Sequence, residues 1–314
     1  MMRFWAKTLD KILVIKLAAL GDFIQAIGPF TAIRKHHSDS QITLLTTKPF
    51  VELAYASRLF DQIWVDKKPR ALAIGNWCAL RGQLLSGEFK RVYDLQTSDR
   101  SSFYRRLFWP RQNPEWSGIA RGCSHPHNNI KRDFMHTVER QAEQLRMAGI
   151  ENVNVLGSLG SLAAPVDQFA LSGDIALLVP GGAKHRPEKR WPVERFSELA
   201  RQLLADGLSP VLVGGSSEAK ILEKISADCP ESHNLCGQTS LLQIAALARH
   251  ARVSVGNDTG PMHLVAAMGC QTVVLYGHSS DPALCGQRGP NVTYIRKPLL
   301  KDITVKEVKE VSIT

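Results

Sequence analysis

The sequence predicts an α/β protein made of two Rossmann-like, doubly wound parallel-sheet domains facing a cleft. Three observations carry this prediction. The chain has 314 residues, and domains of about 150 residues make two the natural count. Strand-like apolar runs alternate with helix-like amphipathic runs in both halves, which implies parallel sheets covered by helices on both faces. Residues 151–173 are rich in Gly, Ser, Ala and Pro, lack periodicity, and read as the connection between the halves. The expected bounds are 1–160 for the first domain, 170–300 for the second and 301–314 for a closing helix.

In the first half, KILVIKL (Lys11 to Leu17) is a buried-strand pattern. GDFIQAIGPFTAIRKHH after it is helical, with Ile24, Ile27, Phe30 and Ile33 at helical spacing. ITLLTT is a strand, Pro49 to Leu59 a short helix, IWVD a strand, Trp77 to Leu85 a helix and RVYDLQ a strand. Ser98 to Arg132, rich in Arg, Pro, Asn and Trp, is expected to be a long irregular loop. Phe134 to Ala148 is helical and stops at Gly149.

The second half restarts the alternation with the strand IALLVPG and the helix WPVERFSELARQLLADG. The strand PVLVGG, the helix SEAKILEKISADC and a short strand at Asn234-Leu235 follow. SLLQIAALARHA (helix), VSVGN (strand), PMHLVAAMG (helix) and TVVLYG (strand) complete it. The tail DITVKEVKEV is expected to form a short helix with Asp302 as its cap.

Composition narrows the class. At 44% hydrophobic and 22% charged, the chain is an ordinary globular one with material for sizeable cores. Six cysteines without a CxxC pair point to reduced thiols in a cytosolic protein, not to disulfides or zinc. ILVIKLAAL is broken by Lys16 and runs into Gly21-Asp22, so no signal peptide is expected, nor any run of the ~18 apolar residues a membrane span needs. A cytoplasmic protein is expected. The net charge of +10 is unevenly placed: residues 1–150 hold 23 basic and 13 acidic residues, and the remainder hold 16 of each. A basic half beside a neutral one points to an acidic partner for the first.

Known phosphate loops and metal motifs are absent. There is no GxxxxGK[ST], LAALGDF has one Gly where a dinucleotide fingerprint needs three, and no HExxH or clustered His/Cys spacing occurs. No metal and no cofactor are expected. Three strand-end turns stand out instead. LAALGDFIQ places Asp22 at a helix start, either as a capping acid or as a general base. PGGAKHRPEKRWP sets Lys184, His185, Arg186, Lys189 and Arg190 around a Gly pair, which suits phosphate. NDTGPMHLVAAMG leaves a strand through Asp258, Thr259 and Gly260 into a helix with Pro261 in its first turn. The Thr259 hydroxyl and the Thr259 and Gly260 N–H groups can hold a diphosphate at the helix's positive end. Nearby, VGGSSEAK offers Glu218, either a first-turn acid or an acceptor for ribose hydroxyls.

In this order and spacing the motifs resemble those of glycosyltransferase family nine, the ADP-heptose:lipopolysaccharide heptosyltransferases. The stretches that carry the resemblance are KILVIKLAALGDFIQAIGPFTAIRK, PGGAKHRPEKRWPVERFSELA, PVLVGGSSE and GQTSLLQIAALARHARVSVGNDTGPMHLVAAMGCQTVVLYG. Ser98 to Ala170 carries no matching motif. The resemblance implies a GT-B architecture and an inverting transfer of heptose from ADP-heptose to the inner core of lipopolysaccharide (Kdo-lipid A or growing core). The ADP-sugar would be a donor substrate. By position, Asp22 matches the family's catalytic carboxylate and Lys189 its phosphate-binding lysine. Asp258, Thr259, Gly260 and His263 match its diphosphate turn, and Glu218 more loosely its ribose contact.

The implied acceptor is an anionic lipid-linked glycan at the inner face of the cytoplasmic membrane, which the protein would meet peripherally, with no nucleic-acid partner. Arg100, Arg105, Arg106 and Arg121 are acceptor-binding candidates, beside Arg111, Lys131 and Arg132. Phe103, Tyr104, Phe108, Trp109 and Trp116 among them suit either membrane contact or the core. YGHSSDP departs from the family, which usually shows Gly-Pro-Thr with Asp-Pro close behind. That leaves a related sugar or another nucleoside diphosphate open as donor. A GT-B-like sugar-nucleotide epimerase and a non-enzymatic basic module for membrane or nucleic acid are the competing readings.

Overall fold

A computed structural model of the chain describes residues 9–154, 162, 164–182 and 186–312. Lys184 and His185, and residues 155–161 of the Gly/Ser-rich stretch, lie outside them. The chain divides into two compact units. The first runs up to Ala19 and resumes at Ala26; the second takes Leu20–Gln25 and the C-terminal half.

The first unit holds strands β1 (Lys11–Ile15), β2 (Gln41–Thr46), β3 (Gln62–Val65), β4 (Arg91–Asp94), β5 (Glu115–Gly118) and β6 (His125–Pro126). They form one parallel sheet in the order β3-β2-β1-β4-β5-β6. KILVI and QITLLT are buried nearly throughout, as central strands covered on both faces must be. Helices α1 (Leu20–Ile24), α2 (Ile27–His36), α3 (Val51–Ser57), α4 (Ile74–Ser86), α5 (Asp99–Phe108) and α6 (Thr137–Met147) come from this half of the chain.

The second unit repeats the design with β7 (Ile175–Val179), β8 (Ser209–Leu212), β9 (His233–Asn234), β10 (Ala251–Asn257), β11 (Gln271–Tyr276) and β12 (Val292–Arg296). Its parallel order is β12-β11-β10-β7-β8-β9. Helices α7 (Val193–Ala205), α8 (Ala219–Asp228), α9 (Leu241–His250), α10 (Gly260–Ala267), α11 (Pro282–Cys285) and α12 (Val305–Ser312) complete it. Trp191, Phe196, Leu199 and Leu203 pack with Val253, Val255, Val305 and Val308 into one core. Numbered from its own first strand, each sheet reads 3-2-1-4-5-6, the dinucleotide-fold order, which reverses direction between its first and fourth strands.

Several expectations need correction. Ser98 to Arg132 is not an irregular loop. Ser98 Oγ accepts from Ser101 N at 3.2 Å and Ser101 Oγ accepts from Ser98 N at 3.0 Å, and this capping box starts α5. Tyr104, Phe108 and Trp116 are core residues, whereas Phe103 and Trp109 are exposed. The single helix expected after β1 is two, α1 and α2, because Pro29 has no N–H for the Gln25 carbonyl. Thr304, not Asp302, caps α12: Glu307 N donates to Thr304 Oγ1 at 3.2 Å, and Thr304 N to Glu307 Oε2 at 2.8 Å. No helix among the described residues is long and apolar enough to cross a membrane.

Candidate active site

The direction reversal between β7 and β10 is where a sheet of this order binds ligands, and a cavity of about 660 Å³ opens there. Its wall comes from three strand ends: Gly182 with Arg186 and Lys189 after β7, Gly214-Gly215 with Glu218 after β8, and Asp258-Thr259-Gly260 after β10. Val213, Leu241 and Ile244 add an apolar surface.

Asn257 builds the frame. Fully buried, its amide donates to the Pro180 and Gly181 carbonyls at 2.8 and 3.0 Å and accepts from Trp191 N at 2.9 Å. The end of β10 is thereby fixed to both ends of the basic loop. Glu218 makes the second tie, accepting from Gly182 N and Gly215 N at 2.8 Å each. A side chain at Gly181 would run into the Glu218 carboxylate, so a larger residue there must displace this tie. Arg190 closes the loop by donating to Gly182 O at 2.6 Å.

Lys189 and Asp258 form an ion pair at 2.9 Å with side chains 15% and 10% exposed. Burial would raise the Asp258 pKa, but the Lys189 hydrogen bond and charge, with that of His263, hold it below the usual carboxylate range. A carboxylate offers no donor to a phosphate; its geometric task is to hold the Lys189 ammonium at the cavity wall. Thr259, the residue before α10, has an extended backbone and makes no side-chain cap bond. Its hydroxyl is buried without a partner, and such an orphan beside a helix N-terminus suits an anion's oxygen. Gly260 and Pro261 begin α10; Pro261 has no N–H and Met262 N donates to Thr259 O at 3.2 Å, so the Gly260 N–H is the first-turn donor left without a helical partner.

Asp22 lies in the first turn of α1. That helix packs on α10: a Cβ at Gly260 would meet the Leu20 Cβ at 2.8 Å, and one at Gly21 the His263 ring at 2.6 Å. His263 is buried on α10, one turn beyond Gly260. Gln25, following α1, donates to Gly286 O at 3.0 Å. Asp22 thus sits on the helix that leans against the turn, although it does not line the cavity.

Of the basic candidates, Arg105, Arg106 and Arg121 share a hollow of about 340 Å³ with Asp99, Ser102, Phe103 and Ala120. Arg105 is anchored by the Arg121 and Gly122 carbonyls at 3.2 and 2.7 Å. Arg100 stands apart from it, bonded to Pro69 O at 3.1 Å and lying 5.5 Å from the Trp77 ring centre. In YGHSSDP, His278 contacts Pro298 O at 2.9 Å, and Asp281 caps α11 through Ala283 N at 3.0 Å. Asn257 and Trp191 carry no local sequence signal for this role, because their partners lie 66 and 77 residues away in the chain. No group of three metal-ligating side chains occurs among the described residues.

Two parallel sheets of dinucleotide-fold order, with an anion-suited cavity at the strand ends of the second, define an α/β protein of the GT-B fold. Comparison with known proteins names the family: residues 77–312 match the model for glycosyltransferase family 9 (heptosyltransferase), and the chain belongs to it. It is 35% identical to lipopolysaccharide heptosyltransferase 2 of Escherichia coli (strain K12) over 129 residues, a match spanning 39% of this chain and only 37% of that protein. It is 31% identical over 324 residues to lipopolysaccharide heptosyltransferase 1 of Escherichia coli O18:K1:H7 (strain RS218 / NMEC), covering 96% of both chains. The fold is shared with E. coli heptosyltransferase WaaC, solved with ADP-2-deoxy-2-fluoro heptose: TM-score 0.77, 20% identity, 96% of this chain and 98% of that one.

Proposed function

We propose that the protein is an inverting glycosyltransferase that moves heptose from ADP-heptose to the inner core of lipopolysaccharide. The observation that carries this reading is the convergence of Lys189, the start of α10 and the unpartnered Thr259 hydroxyl on one cavity. Those groups suit the diphosphate of a nucleotide sugar, and the structure of the E. coli relative with an ADP-heptose analogue supports the choice of donor. Val213, Leu241 and Ile244 offer the nucleobase an apolar wall, and the Glu218 carboxylate at the same cavity is the proposed acceptor for a ribose hydroxyl, supported by its place in the lining.

In the reaction, Asp22 takes the proton of the acceptor hydroxyl as that oxygen attacks the anomeric carbon. The bond from that carbon to the diphosphate oxygen breaks with its electron pair on ADP, so the configuration inverts. General-base catalysis contributes about 10²–10⁴-fold. Lys189 and the Thr259-Gly260 amides meet the leaving charge, worth about 3 kcal/mol per well-placed donor in comparable sites. The acceptor is an anionic lipid-linked glycan, and the hollow of Ser102, Arg105, Arg106 and Arg121 suits one of its phosphates or carboxylates. Such an acceptor brings the protein to the inner face of the cytoplasmic membrane as a peripheral partner. Family membership favours this over an epimerase or a binding module.

Calorimetry with ADP, UDP and GDP tests the donor site. Selective ADP binding that weakens about tenfold or more in Lys189→Ala is expected, since charge-assisted bonds are the strong ones. A folded wild-type protein that binds no nucleoside diphosphate would overturn the proposal.

A further inference from the structure

The hydrogen bonds behind Lys189 lead to two residues that the transfer reaction leaves without a task. Asp258 Oδ2 accepts from Lys189 at 2.9 Å. Its other oxygen, Oδ1, lies 3.1 Å from Gln287 Nε2 and 3.2 Å from the Tyr276 hydroxyl, and that hydroxyl is 2.6 Å from Gln287 Oε1. Tyr276 and Gln287 are both fully buried.

Counting protons assigns the roles. A tyrosine hydroxyl has one proton to give, an amide oxygen none, and an ionised carboxylate none. The 2.6 Å contact between the hydroxyl and the amide oxygen therefore takes the tyrosine proton. The amide nitrogen is then the donor to Asp258. Were the amide turned round, its oxygen would face the carboxylate with no proton between them, at the cost of an unmade buried hydrogen bond. Tyr276 thus locks Gln287 in the orientation that serves Asp258.

We infer that Gln287, locked by Tyr276, is a positioning residue of the donor site, fixing Asp258 so that it holds the Lys189 ammonium at the cavity wall. The inference rests on the diphosphate reading of that cavity. Its reach extends to the base: Gly286, one residue earlier, accepts from Gln25 at 3.0 Å, and Gln25 follows the helix that carries Asp22. Gln287's own carbonyl is held by the Tyr294 hydroxyl. One short stretch of chain steadies both the lysine that meets the leaving group and the helix of the general base.

The test uses Gln287→Met, similar in length but without the amide, Gln287→Glu, which keeps the shape, and Tyr276→Phe. ADP affinity is read by calorimetry, and the accessibility of Lys189 in ligand-free protein by competitive acetylation and mass spectrometry. Gln287→Met is expected to weaken ADP about tenfold, the scale of a lost buried bond to a charge, and to speed Lys189 acetylation. Tyr276→Phe is expected to move both readouts the same way by less, since the amide is unlocked but present. In Gln287→Glu only the neutral carboxyl can donate, so ADP affinity stays near wild type at low pH and falls as pH rises, relative to wild type.

Lys189, His263, Cys285, Arg288, Tyr294 and, acting on Cys285, Asp22 and Asp281 are the titratable and charged groups around this network; they are the same in wild type and Gln287→Glu, so the difference in profile belongs to position 287. Gln287→Met with wild-type ADP affinity and wild-type Lys189 acetylation would overturn the inference, as would a Gln287→Glu profile parallel to wild type. If Gln287→Met does not fold, the two isosteric variants decide. If the wild type binds no ADP, the donor reading falls and the acetylation rates still decide the positioning role.

Discussion

At the scale of single residues, two carboxylates, Asp258 partly buried and Asp94 fully buried, respond to pH in opposite directions. Asp258 has its pKa held down by Lys189, so its contribution to stability is present above its ordinary value near 3.8 and lost as pH falls below it. Removing the lysine strands that charge. Lys189→Ala is expected to cost about 3 kcal/mol at neutral pH, the lower end for a broken buried pair because both side chains retain some solvent contact. Urea unfolding should show the deficit shrinking as the pH drops below about 4, when Asp258 no longer needs a partner. Asp94 behaves oppositely. Burial pushes it up to about 6, against the pull of the Thr97 backbone, Ser101, the Gln96 backbone and Lys16. Its protonated form is favoured by folding, so stability is full below pH 3.8 and declines as pH rises through 6. Asn at this position can still accept from Gln96 N and Thr97 N, now at 3.1 and 3.0 Å. Asp94→Asn should therefore remove a decline of up to about 3 kcal/mol between pH 4 and 7; an unchanged slope in urea unfolding would refute it.

At the scale of elements, the apolar strands and the Asp-Thr-Gly-Pro helix start are legible because burial on both faces and capping chemistry are local signals. The edges are not. β6 is two residues and the edge strand β12 is largely exposed, so neither shows a buried run, and the next strand in, β5, buries only the three residues Trp116, Ser117 and Gly118, too few to read as a strand. The charged run DRSSFYRRLF hides the helix α5, although Tyr104, Leu107 and Phe108 fall on one buried face. Asn257, Glu218 and Gln287 act through partners distant in the chain, which no spacing reveals. The packing of α1 on α10 makes a prediction at this scale. Gly260→Ala sets a Cβ 2.8 Å from the Leu20 Cβ, which must push α1 and Asp22 aside. Turnover should drop roughly 10- to 100-fold, as for small misplacements of catalytic groups, while ADP affinity changes far less. Equal losses in both would show that the turn itself had been damaged.

At the scale of the whole molecule, two units of the same strand order carry different charge: the net +10 resides in residues 1–150. Exposed charges are screened beyond about 8 Å at physiological ionic strength, so the KM for the anionic acceptor should rise steeply with added salt. The KM for the donor, whose proposed cavity is lined by the mostly buried Lys189, should rise less; parallel increases would argue against the basic half as the acceptor's partner. The α1 segment has a consequence for anyone recombining members of the family. Residues 20–25 are encoded in the first half and packed with the second, so a gene fusion joined only near residue 160 would separate that helix from its seat. A hybrid with native turnover would need two crossover points, bringing Leu20–Gln25 from the same parent as Gly260 and His263.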